Sequence, residues 1–151
     1  MADKAVYKTG GIEEGIPTAS CERFDLATSR WFQAPEMREA RAEHCSCVLE
    51  NFVYIFCGIN DERRILNSIE ALDTTKDLNR NRESGRIVEW NLISVDERRK
   101  VLPLKTIPLV VTFNATEILI MGGRSTHHLA DVCVFDTTTQ RVRSKPVSLS
   151  K

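Results

Sequence analysis

One short pattern occurs three times in this chain, and a repeat of that kind constrains the fold more than any composition figure. The stretches 6–11 (VYKTGG), 53–58 (VYIFCG) and 118–123 (ILIMGG) each close on a glycine-containing doublet. Three positions before the doublet's first member stand Tyr7, Tyr54 and Leu119. Then, 15, 16 and 14 residues after it, come Asp25, Asp73 and Asp136, each behind a large apolar residue and close to threonines. Six residues past Asp25 is Trp31, and six past Asp136 is Val142. The middle copy reaches Trp90 only after 17, which marks an insertion of eleven residues within 76–89.

Between these markers the chain reads as short strands. The runs 53–57 and 118–121 are β-branched and aromatic and are bounded by glycine, and 131–135 alternates with period two. Stretches 30–33, 87–93 and 140–143 supply a further strand after each aspartate, while 43–49 and 107–113 precede the second and third doublets. A turn of helix is expected within 35–43, and Pro103 and Pro108 make 94–106 a loop. The doublet glycines permit positive φ where a strand leaves its sheet, and each aspartate can accept from nearby backbone amides as an Asx-turn does.

The doublet with tyrosine three before it, the aspartate some fifteen after it and the tryptophan six beyond that resemble the kelch repeat. Met37, Arg41 and His44 after Trp31 fit the same pattern. The structural positions of the repeat are then Tyr7, Gly10, Gly11, Asp25, Trp31, Tyr54, Gly58, Asp73, Trp90, Gly122, Gly123 and Asp136. The resemblance implies an all-β chain of about 2.75 four-stranded antiparallel propeller blades in an incomplete ring. A partial first blade would span 5–34, a second 43–94 with the insertion 76–89, and a third 107–148, so that 1–151 is one repeat region. Trp31 and Trp90 are expected to fill the spaces between blades. Cys57 replaces the first glycine of its doublet and Val142 replaces the last tryptophan, so the final blade should pack less well. Three blades fall short of the usual four to eight. A piece of a longer propeller, a protomer completing a ring with its copy, and an open twisted stack all account for that, and open blade edges invite self-association.

Composition narrows the function classes. Lys+Arg and Asp+Glu are both 21 and aromatics are 7%, which argues against nucleic acid, an acidic membrane surface or a base-stacking platform. The apolar runs are strand-sized, too short for a membrane span, and the start carries no signal-peptide h-region. Five cysteines at 21, 45, 47, 57 and 133 form no disulfide framework and read as reduced, buried thiols of a cytoplasmic protein. His127-His128 with Cys133, and His44-Cys45 with Cys47, lack paired metal-ligand spacing, and no phosphate loop, nucleophile elbow or dinucleotide fingerprint is present, so no cofactor or catalytic residue is assigned.

In this blade topology the loops after each doublet and those entering each inner strand share one end of the ring. They carry Arg38, Arg41, Arg63, Arg64, Arg98, Arg99, Arg124, His127 and His128. By resemblance that end grips a protein partner, and its arginines would suit an acidic or phosphorylated peptide; solvated loop charge balanced by nearby carboxylates is the competing reading. The resemblance implies a non-catalytic interaction scaffold, with ubiquitin-ligase adaptors and the cytoskeleton as contexts. Fragments of kelch-like oxidases or sugar-acid isomerases, and a truncated product without activity of its own, are the alternatives.

Overall fold

The computed structural model describes residues 5–76, 88–93, 106–124 and 131–145, and among them there is no helix. A three-stranded sheet comes first, from β1 (Ala5–Thr9), β4 (Cys21–Asp25) and β5 (Arg30–Gln33) in that order. Between its first two strands lies a small hairpin, β2 (Ile12–Glu13) with β3 (Ile16–Pro17). The second sheet runs β6 (Cys45–Leu49), β7 (Phe52–Phe56), β8 (Ile69–Asp73) and β9 (Asn91–Ile93). The third runs β10 (Leu109–Thr112), β11 (Glu117–Met121), β12 (Val132–Asp136) and β13 (Arg141–Lys145). All neighbours are antiparallel and follow chain order. Among the described residues these are propeller blades, three strands and then twice four, and they close no ring.

Burial follows the stacking. In blade 2, Val53, Tyr54, Ile55 and Phe56 are all buried, as are Ile69 to Leu72, because both faces of that sheet are covered. Strand β1 of blade 1 and β11 of blade 3 alternate instead, covered on one side. Between blades 1 and 2 pack Cys21, Ala34 and Met37 against Val53, Ile55, Leu72 and Trp90. Between blades 2 and 3, Tyr54, Phe56, Ile69 and Ile93 meet Ile118, Ile120, Phe135 and Val142. Phe135 stands edge-on to Tyr54 and Phe56, with ring centroids 5.9 and 5.8 Å away.

The turns form as the repeat predicts. Asp25 Oδ1 accepts from the amides of Ala27 and Thr28, Asp73 Oδ1 from Thr75, and Asp136 Oδ1 from Thr138 and Thr139. These bonds favour the carboxylate: the Thr28 amide above all lowers the pKa of Asp25, and the Thr138 hydroxyl that of Asp136. The doublets share one backbone conformation, with φ of 53° and 105° at Gly10 and Gly11, 60° and 102° at Cys57 and Gly58, and 59° and 104° at Gly122 and Gly123. Cys57 therefore keeps the left-handed geometry that glycine adopts at no steric cost. At Gly10 an added Cβ would lie 2.4 Å from the Arg41 carbonyl oxygen.

Two expectations need correction. Trp31 is not a filler between blades in this structure: it is 52% exposed, on the face of blade 1 turned away from blade 2. Its register partner Phe24 lies against it in a tilted arrangement with ring centroids 5.1 Å apart, and Val6 completes a row with no sheet opposite it among the described residues. Stretch 35–43 holds no helical turn; its backbone is committed elsewhere, through Met37 N to Ala19 O, Arg41 N to Thr18 O and Ala42 N to Ile59 O. Trp90 does take the filler's place, fully buried, with Nε1 donating to Pro35 O at 2.8 Å.

Trp90→Ala should cost about 3–5 kcal/mol and Trp31→Ala less than about 1 kcal/mol, read from chemical denaturation of the two variants. Equal losses would show that Trp31 is packed in solution.

Candidate functional site

The loop leaving blade 1 carries a buried ionic cluster that the repeat pattern did not announce. Arg41 and Glu70 are both completely buried, with Nη2 to Oε1 at 2.7 Å. Arg41 also donates to the Cys57 carbonyl at 2.9 Å, to Ser68 Oγ at 3.0 Å and to Glu39 at 2.9 Å; its Nε has no acceptor. The Glu70 carboxylate accepts in turn from the amides of Arg38 (2.6 Å) and Glu39 (3.1 Å). Hydrogen bonds to both partners make such burial tolerable. Arg41 is thus a structural strut, and its expected role at a partner surface is withdrawn. A charged residue inside the apolar run 69–72 was the available signal for Glu70, and it carried no weight without the facing arginine.

His44 sits beside this cluster. It contacts the sites of two doublets, since a Cβ on Gly10 would meet its ring at 2.9 Å and one on Gly58 its own Cβ at 3.0 Å. Its Nε2 bonds Thr9 Oγ1 at 3.1 Å. Burial first, and then the Arg41 charge, bring the His44 pKa down to about 4.

The remaining candidates separate by location. The loops after the doublets and those entering the inner strands meet at one end, where Ala42 bridges Ile59 and Thr106 bridges Arg124. There Arg63, Arg64 and Arg124 are exposed. Arg64 pairs with Glu62 at 2.8 Å, and the turn under both arginines is tied by Asn60, whose Oδ1 accepts from the Arg64 amide at 2.8 Å while its own amide donates to Arg64 O at 3.0 Å. Arg38 is held at the edge of blade 2 by the Trp90 carbonyl (3.0 Å) and by Glu89. Arg98, Arg99, His127 and His128 lie outside the described residues, as do most of the insertion and of the loop 95–106. The stretch 12–20 after the first doublet contains the β2–β3 hairpin, with Ile12 and Ile16 exposed.

No disulfide joins any of the five cysteines. Cys45 and Cys47 are half-buried rather than buried; both face blade 3 from β6, where Cys47 packs on the apolar core and Cys45 reaches the Pro108 carbonyl. Burial pushes the thiols of Cys21 and Cys47 up to about 12, which leaves them protonated at neutral pH. Among the described residues no three His, Cys, Asp or Glu side chains converge as a metal site, and no helix is long and apolar enough to cross a membrane.

Strand order, doublet conformation and Asx-turns define the class as propeller blades. No protein-family model matches the chain. Curated relatives do match: β-scruin of Limulus polyphemus is 23% identical over 97% of the chain, and the kelch repeat protein M-T9 of myxoma virus is 29% identical over 45% of it. Kelch-like protein 22 of Ailuropoda melanoleuca is 34% identical over 43%. The chain is similar to these kelch-repeat proteins, and its repeat fits the kelch repeat. It spans only 16%, 13% and 11% of those three relatives.

Two outcomes follow from the cluster. Removing one partner strands a buried charge, so Glu70→Ala should cost about 3–5 kcal/mol in urea unfolding. For His44 the folded pKa lies below the unfolded value, so its contribution is complete above pH 6.5 and is lost as pH falls toward about 4. That loss is on the order of 3 kcal/mol. His44→Gln should flatten the stability profile in that window; an unchanged slope would assign it to other groups.

Proposed function

We propose that this chain is part of a non-catalytic protein-interaction scaffold that holds a partner polypeptide at the doublet end of its blades. Kelch-repeat homologues are generally protein-interaction scaffolds. The observation that supports this end is the tied turn at 60–64, which presents Arg63 and Arg64 to solvent on a framework already ordered by Asn60. A fixed backbone beneath the two arginines leaves only their side chains to be ordered on binding, and their guanidinium groups can grip carboxylates or phosphates through paired hydrogen bonds. Arg124, bridged to Thr106 at the entry to β10 of the same blade, extends the basic surface. An acidic or phosphorylated peptide is the partner chemistry these residues fit. Arg41 is excluded by burial, and Arg38 is engaged at the blade edge.

The test is the double variant Arg63→Glu/Arg64→Glu, assayed for binding of a labelled glutamate-rich peptide and its phosphoserine counterpart at two salt concentrations. Both residues are exposed, so the melting temperature should stay near that of the parent, while peptide affinity falls about tenfold or more and loses its salt dependence. Unchanged affinity in a folded variant would overturn the reading.

A further inference from the structure

At the opposite end of the blades, where the Asx-turns lie, an open cavity of about 320 Å³ separates blades 2 and 3. That is the lower end of the size range of ligand cavities. Tyr54, Ala71 and Asn91 form its wall on blade 2, and Thr137 and Gln140 the one on blade 3. The sheet registers show why it is open. Tyr54, Ala71 and Asn91 are cross-strand partners, and the row at the same place in blade 1 is Tyr7, Arg23 and Phe32. Arg23 and Ala71 each stand two residues before their Asx aspartate. In blade 1 the arginine is nine-tenths buried, with Nη1 on Asp25 Oδ2 at 3.1 Å. Blade 2 puts a methyl group where blade 1 puts a guanidinium.

The receiving groups are nevertheless kept. Asp73, on the same face as Ala71, spends Oδ1 on Thr75, and its Oδ2 is ion-paired with the Lys76 ammonium at 3.7 Å. Glu50 puts a carboxylate on the cavity lining itself, and the Tyr54 ring corresponds to that of Tyr7. A planar cation fits an aromatic wall with the Glu50 carboxylate on the lining, whereas an aliphatic side chain would leave that charge unused.

We propose that this cavity receives an arginine side chain of a partner polypeptide, which takes the place that Arg23 fills in the sister blade. The proposal does not depend on the doublet end, and its residues lie at the other end of the strands. The probe is N-acetyl-argininamide, titrated into the full chain and followed by amide NMR beside its lysine and leucine counterparts. The arginine probe should give saturable shifts at Tyr54, Ala71, Asn91 and Thr137, with affinity in the millimolar range and about fivefold above the lysine probe. Ala71→Arg should abolish those shifts, because the chain then fills its own cavity. If that variant fails to fold, Glu50→Gln on the exposed hairpin decides, with an expected loss of about threefold for arginine and none for leucine. Equal binding of the leucine probe, retention of binding in Ala71→Arg, or no saturable shift with the arginine probe would each overturn the proposal.

Discussion

The interaction on which the arrangement of blades 1 and 2 depends is the buried contact of Arg41 with Glu70. The loop from blade 1 into blade 2 has no regular structure of its own, so its polar groups must be satisfied by the sheets it joins. Arg41 does this in two directions. Its side chain reaches Glu70, Ser68 and the Cys57 carbonyl of blade 2, while its own carbonyl accepts from the Gly11 amide of blade 1. One residue thereby holds the doublet ends of both blades in register. An apolar replacement could match the packing but could not satisfy the Cys57 carbonyl or the Glu70 carboxylate, which also orders the loop through the amides of Arg38 and Glu39.

The glycine requirement at the doublet follows from this strut. A side chain on Gly10 would collide with the Arg41 carbonyl, and one on Gly58 would meet the Ala42 carbonyl at 2.6 Å. These are the places where the entering loop crosses the doublet. Both positions also have positive φ, so close approach and conformation act together. Cys57 shows that the two demands separate: its left-handed φ is tolerated, and its side chain is buried in the core between blades 2 and 3.

Features that repeat were legible in the sequence, because each is a local solution used three times. Asp25, Asp73 and Asp136 close their turns with their own neighbours, and the doublets need only their own backbone. What one blade does to another was less legible. Trp31 and Trp90 hold the same place in the repeat, but one is exposed and the other wholly buried, since only Trp90 has a sheet opposite its face. Arg41 looked like its loop neighbours Arg63 and Arg64. Its difference lies in Glu70, 29 residues downstream, which no local pattern links to it.

The same distinction governs where the blades can differ in function. Repeat positions that bond their own turn cannot change without loss of the blade, whereas positions facing a neighbouring blade can change when the neighbour leaves room. Arg23 and Ala71 are such a pair: equal in register, flanked by the same tyrosine and followed by the same aspartate, but one fills its space and the other does not. Interior stability at that level rests on the apolar rows Tyr54, Phe56 and Phe135, which touch one another without help from residue 71. A cavity can therefore persist between blades 2 and 3 without separating them. The stacked repeat thus confines its variation to spaces between blades, which is where a scaffold of identical folds can acquire different specificities.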